Sequence, residues 1–191
     1  MMTPVIFRLT VLAACCGLLI STVYSLSRDD IRENRRAFAV RQLVDVVGDP
    51  AAALVALDDH LYRVEKDDAP QGFVFETVTR EGYNGKIELW LGVNKDNKIT
   101  GVRVKSHQET PGIGDKIETG VSDWILSFNG KSLESPAVED WMVKKDGGEF
   151  DQFTGATITA RAVVAAVRQG LERARKQQGD WQVMDAREEE Q

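Results

Sequence analysis

The chain has 191 residues, enough for one domain with a real core and too few for two large ones. Its net charge of −6, with no basic cluster interleaved with aromatics, argues against a nucleic-acid surface. The acidity names no substrate, because Asp67-Asp68 and Glu188-Glu189-Glu190 read as a solvated loop and tail.

A short N-terminal segment, 1–8, leads into LTVLAACCGLLISTVYSLS, Leu9 to Ser27, in which no residue is charged. A bilayer core asks about 20 apolar residues of a helix, so 9–27 is expected to be a single transmembrane anchor. A cleaved signal peptide needs a small-residue site after the run, and STVYSLS makes a mediocre one. A lipoprotein could use Leu12-Ala13-Ala14-Cys15, but the apolar stretch between Arg8 and that cysteine is too short. A buried soluble helix would show a polar face. Arg8 precedes the run and Arg28, Arg32, Arg35 and Arg36 follow it, so charge bias alone keeps the main domain cytoplasmic. The only cysteines, Cys15 and Cys16, lie inside the run, and none remains for a disulfide, zinc site or thiol catalysis.

In 28–50, Ile31, Ala37-Phe38, Val40, Leu43-Val44 and Val47 recur near three- and four-residue steps, which predicts a helix. It is either a stalk or the first helix of the domain, and Gly48-Asp49-Pro50 stops it. The domain proper is expected over 51–178. Ala51–His60 reads as weakly helical. Leu61–Glu65, Gly72–Val78, Lys86–Val93 and Lys98–Lys105 read as strands, with turns at REGYNG (80–85) and NKDN (94–97). After the irregular SHQETPGIGD (106–115), a short helix around Ser122–Phe128 turns Trp124, Ile125 and Phe128 to the core. WMVKKDGGEFDQF (141–153) is loop-like. Ala160 to about Gln177 is a helix with Ala162, Val163, Ala166, Val167 and Leu171 on one side, and 179–191 is a flexible tail. The fold class is α+β: an antiparallel sheet of three or four strands with helices packed on one face, behind one membrane helix.

Familiar catalytic patterns are missing. His107-Gln108-Glu109 lacks the downstream cysteine pair of a zinc deaminase. There is no nucleophile elbow, phosphate loop or dinucleotide fingerprint. Glu149 and Asp151 could pair as acid and base, but that spacing is commonplace. Two loops remain. ETPGIGD (109–115) joins a stiffening proline to two glycines that permit close approach, and reads equally as a sharp turn or a site. DQFTGATIT (151–159) sets Thr154, Gly155, Thr157 and Thr159 just before a helix, whose free N–H groups favour an anion. On physics alone the stronger reading is plainer: Thr159 caps the helix, and Thr154 and Thr157 sit in an ordinary turn.

DQFTGAT resembles the D-x-x-[ST]-G-A-T sequence that flavin transferases modify in FMN-binding domains of respiratory complexes. GYNGKI (82–87), ETPGIGDKI (109–117), DWI (123–125) and VKKDGGEFDQFTGATIT (143–159) are similar to the G subunit of the Rnf (Rsx) electron-transport complex. Ile113 departs from the leucine common in that loop. The resemblance implies FMN bound covalently, by a phosphoester to Thr157 and not to Thr154 or Thr159, with Thr154, Gly155 and Ala156 around it. It implies that Glu109, Thr110, Gly112 and Gly114 line the flavin. Lys144 or Lys145 is placed near the phosphate or is merely exposed, and Asp151 is read by the transferase or is a solvated loop carboxylate. No metal and no catalytic residue of the chain's own are expected.

The function implied is an electron-carrying subunit of an ion-translocating oxidoreductase that moves electrons between ferredoxin and NAD. Some members keep a redox-sensing transcription factor reduced. The implied partners are the other complex subunits, a flavin transferase and the membrane. The implied place is the bacterial inner membrane, N-terminus cytoplasmic and flavin domain periplasmic, against the arginine count. Two alternatives stand beside it. The C subunit of the sodium-translocating NADH:quinone reductase shares the anchor, both loops and the flavinylated threonine, but is usually longer. A membrane-tethered, non-redox interaction domain would use TGAT only as a cap.

Overall fold

The computed structural model describes residues 6–19, 21–22, 24, 43–67 and 69–188, with side chains to Lys176. The chain divides into two compact units, Met1–Val40 and Arg41–Gln191. In the first, residues 6–19 are helical and exposed throughout. The Thr10 hydroxyl donates to the Ile6 carbonyl at 2.9 Å, and Thr22 to that of Leu18 at 2.7 Å. Among the described residues, no helix is long and apolar enough to cross a membrane. The anchor expected over 9–27 runs outside the described residues at 20, 23 and 25–27, as does the expected stalk from 28 to 42.

The second unit is built on a five-stranded antiparallel meander in sequence order: β1 (Ala53–Asp58), β2 (Leu61–Lys66), β3 (Ala69–Gly82), β4 (Gly85–Asn94) and β5 (Ile99–Ser106). In β4 the two-residue alternation sends Ile87, Leu89, Leu91 and Val93 to one face and Trp90 and Gly92 to the other. Both faces are covered, so the strand is buried from Leu89 to Val93. The β3–β4 hairpin closes on Gly82↔Gly85 with Tyr83-Asn84 at its tip. Between β4 and β5, the Asn94 side chain accepts the N–H groups of Asp96 and Lys98 at 3.0 and 2.9 Å. Asn97 takes the left-handed conformation that asparagine tolerates.

β1 corrects the sequence reading, which made 51–60 helical. Alanines favour a helix locally, but the free edge of β2 offers a ladder, and Ala53–Ala56 pair with Glu65–Tyr62. Strand preference follows such neighbours more than it follows the residue.

One face of the sheet carries the C-terminal helix, Thr157–Glu188. Ala160, Ala162, Val163, Ala166, Val167 and Leu171 are all buried, as their spacing predicts. Gly170 lets the helix close on the sheet, since a Cβ there would lie 2.5 Å from Leu91 Cδ2. Beyond it the backbone stays helical through Gly179, where a tail was expected. One interior glycine costs about 1 kcal/mol against alanine, too little by itself to end a long helix. The short helix expected near 122–128 is the 3₁₀ turn Trp124–Phe128. Its Phe128 stacks on Phe150 at 4.7 Å, and Trp141 closes on Phe150 at 4.9 Å.

The opposite face is covered by a helical turn at 43–47. Leu43 and Val46 pack there with Val64, Val74 and Trp90. Gly92 and Gly101, register partners on β4 and β5, form the notch that takes Val46. A Cβ on Gly92 would lie 2.6 Å from Val46 Cγ1, and one on Gly101 2.6 Å from the Val46 carbonyl oxygen. Gly48, left-handed, ends the turn with its N–H on the Val44 carbonyl at 3.1 Å. The described end of 28–50 is therefore the domain's first helix.

Candidate functional site

Thr110-Pro111-Gly112-Ile113 is a tight turn: the Ile113 N–H donates to the Thr110 carbonyl at 3.1 Å, and Gly112 has φ +77°. Proline second and a left-handed glycine third are what a type II turn requires. Asp115 braces it, its Oδ2 accepting the Gly112 N–H at 2.8 Å. A Cβ on Gly112 would meet nothing within 4 Å, so that glycine serves conformation. Gly114 serves space, because a Cβ there would lie 2.9 Å from Glu109 Cβ and 3.3 Å from Thr159 Oγ1.

Glu109 is 4% exposed. A carboxylate so buried needs donors to offset its lost hydration, and it has three. Oε1 accepts the Asn84 N–H at 2.9 Å, Oε2 accepts the Tyr83 N–H at 3.3 Å, and the Thr159 hydroxyl also donates to Oε2. Asn84 ties the hairpin tip further, donating from Nδ2 to the Gln108 carbonyl at 2.9 Å and to Thr110 Oγ1 at 3.2 Å. The Glu109 N–H donates to His107 Nδ1 at 2.9 Å, which leaves the imidazole proton on Nε2, facing Glu118 Oε1 at 2.6 Å. His107 is thus a brace for the loop.

The second loop is anchored by aromatics. Trp124 Nε1 donates to the Asp151 carbonyl at 2.8 Å, and its ring lies 4.8 Å from that of Phe153. The Ala156 N–H returns to the Phe153 carbonyl at 3.2 Å across left-handed Gly155, and the Ala160 N–H reaches the Ala156 carbonyl at 3.3 Å. The helix therefore starts at Thr157, three residues before the start expected at Ala160. This corrects the role given to Thr159. Ala156 holds the cap position, while Thr159 is the third helical residue, fully buried and bonded to Glu109. Thr157 is half-buried and Thr154 exposed.

The two loops abut, since a Cβ on Gly155 would lie 3.7 Å from Ile113 Cγ2. Glu109, Thr110, Gly112 and Gly114 thus gather against Gly155, Ala156 and the helix start. Lys144 is on the same side of the chain as Asp151, in an exposed pair, with its Nζ 2.7 Å from Asp151 Oδ1. The Lys145 N–H donates to Gln152 Oε1 at 3.1 Å. Arg161 holds both oxygens of Asp146 at 2.5 and 2.6 Å, and this guanidinium keeps the Asp146 carboxyl below its ordinary value. Tyr83 and Asn84 were not among the residues that sequence reasoning singled out. Their signal was the G-Y-N-G tip, whose amides have no partner across so short a turn. Among the described residues, no group of His, Cys, Asp and Glu could hold a metal ion.

Residues 82–172, which carry the hairpin tip, both loops and the helix start, match the FMN-binding domain family. The G subunit of the ion-translocating oxidoreductase complex of Vibrio cholerae is 40% identical over 179 residues, covering 86% of each chain. The chain belongs to this G-subunit family. Its Pasteurella multocida member is 42% identical over 176 residues, 84% of this chain and 87% of the relative. That of Erwinia tasmaniensis is 55% identical over 109 residues, 57% of this chain and 52% of its own.

Proposed function

We propose that the chain is a membrane-anchored flavoprotein subunit of an ion-translocating electron-transport complex, carrying FMN covalently on Thr157. What carries the reading is the inequality of the three threonines. Thr159 is fully buried, with its hydroxyl committed to Glu109. Thr154 is exposed on the loop, ahead of Gly155. Thr157 stands at the first helical position, where N–H groups without helical acceptors favour a phosphate.

The surroundings fit the group. Gly155 presents no side chain, Gly112 faces open space, and Ile113 and Ile158, 45% and 46% exposed, offer apolar surface to a ring. Lys144 and Arg161 hold exposed ion pairs, and the helix end adds its own attraction for the phosphate charge. In attachment, Thr157 Oγ1 bonds to the flavin phosphorus. FMN alone has no good leaving group, so the donor is a flavin dinucleotide. Its diphosphate bridge breaks, a nucleoside monophosphate leaves with the electron pair, and the hydroxyl proton passes to a base of the transferase. Bound flavin supplies hydride and one-electron chemistry, while the chain supplies position and electrostatics.

The complex's other subunits are then its redox partners, and a flavin transferase matures it. Residues 9–27 form the anchor. Support comes from the uncharged run, the exposed apolar side chains of Leu12, Leu18 and Leu19, and threonine hydroxyls bonded within the helix at Thr10 and Thr22. The domain is then periplasmic, on a bacterial inner membrane with the N-terminus inside, as the resemblance implies.

Co-expression with a flavin transferase tests the reading. After denaturation, flavin fluorescence is expected to stay with the polypeptide, and intact mass to show both one FMN and the retained anchor. Thr157→Val is expected to abolish attachment, and Thr159→Val to retain it at the end point. A wild-type chain that keeps no flavin would sink the proposal; loss in Thr159→Val with retention in Thr157→Val would reassign the acceptor.

A further inference from the structure

We infer that Glu109 is a positioning residue: its buried carboxylate fixes the first turn of the C-terminal helix so that Thr157 is presented for flavin transfer. The inference rests on Thr157 being the acceptor. Ala156, at the cap position, has no side-chain acceptor for the first-turn amides, so the usual side-chain cap is missing here. A helix end without one is prone to fray. The tie comes instead from within the turn, where the buried Thr159 hydroxyl donates to Glu109.

Helical geometry links that tie to the acceptor. Two residues turn a helix by about 200°, so holding Thr159 inward against Glu109 directs Thr157 to the other side. Glu109 is itself held at both oxygens by the amides of Tyr83 and Asn84, at the tip of a hairpin remote in sequence. Two glycines clear its place: a Cβ on Gly82 would lie 2.8 Å from Glu109 Oε1, and one on Gly114 2.9 Å from Glu109 Cβ. An apolar side chain could fill the same space without desolvating a charge. It would give up the directional hydrogen bond that ties Thr159 to the hairpin tip and adds to the packing of Ala160 and Val163 in fixing the helix end. The carboxylate therefore joins hairpin tip, glycine loop and helix start into one frame. Asp151 lies outside that frame, bound to Lys144 and Trp124.

The test uses the full chain in detergent, a purified flavin transferase and flavin dinucleotide, with initial rates of covalent incorporation measured against acceptor concentration. Displacing a reacting group by about 1 Å can cost on the order of a hundredfold in rate. Glu109→Gln and Thr159→Val are each expected to lower kcat at least about tenfold, with KM for the acceptor chain held, because the Asp151 side is untouched. Thr159→Ser, which keeps the hydroxyl, is expected to restore the rate. The double variant is expected to be no slower than the slower single, as for two groups acting as one unit. A role in stability alone would lower the folded fraction and so raise the apparent KM, while kcat at saturating acceptor stayed at the wild-type value. Wild-type kcat in both single variants, failure of Thr159→Ser, or additive losses in the double variant overturns the inference. If wild type itself takes no flavin, the Thr157 reading falls first and this one falls with it. If wild type loads and the variants load equally fast, only the role of Glu109 falls.

Discussion

The two loops that meet at the helix start are held in opposite ways. Around Glu109 the ties are buried, with Glu109 4% and Thr159 0% exposed. Around Asp151 they are solvated ion pairs: the side chains of Lys144 and Asp151 are 56% and 69% exposed, and those of Arg161 and Asp146 45% and 31%. In a low-dielectric interior each hydrogen bond is stronger and each unmet group costs more, whereas exposed pairs contribute about 0–1 kcal/mol. The buried side sets geometry, and the exposed side leaves a charged loop that a partner can rearrange.

The sharpest way to break this contrast is Glu109→Leu. It leaves the fully buried Thr159 hydroxyl without a partner, at a cost of about 1–3 kcal/mol, and takes the acceptor from the part-buried Tyr83 and Asn84 amides, which water can partly replace. A loss of about 1–3 kcal/mol, toward the upper end, is expected in denaturant unfolding of the full chain; a wild-type midpoint would show that these bonds do not hold the loops together. Trp124→Phe probes the intermediate case, removing the 2.8 Å donor to the Asp151 carbonyl while keeping an aromatic ring beside Phe153. About 1 kcal/mol is expected, since water can reach that carbonyl; a loss as large as that of Glu109→Leu would erase the contrast. The smallest effect is expected from Arg161→Gln. The Asp146 carboxyl is held below 3.8, so the pair's stabilisation is present above that pH and lost as pH falls through the depressed value. The small gap between wild-type and variant thermal midpoints should therefore hold at pH 7 and close in strong acid. A gap that widens on acidification contradicts the assignment.

Strands β2 to β5, both turns and the apolar side of the C-terminal helix were legible because they follow local period and turn chemistry. β1 was not, since Ala51-Ala52-Ala53-Leu54 has no strand signature until β2 lies beside it. The candidate loops were legible as special chain, by their glycines and threonines. Which threonine does what was not: Thr159 is defined by Glu109, fifty residues away, and Glu109 by amides at a hairpin tip. Periodicity records neighbours along the chain, and a buried carboxylate records neighbours across it.

The notch at Gly92 and Gly101 has a mechanical consequence. Val46 is keyed into the centre of β4 and β5, on the face opposite the C-terminal helix. A pull on Val46 is therefore borne by β4 and β5, strands paired from Val93↔Ile99 to Glu88↔Ser106. A methyl group at either glycine would not weaken the site directly; it would work the rivet loose.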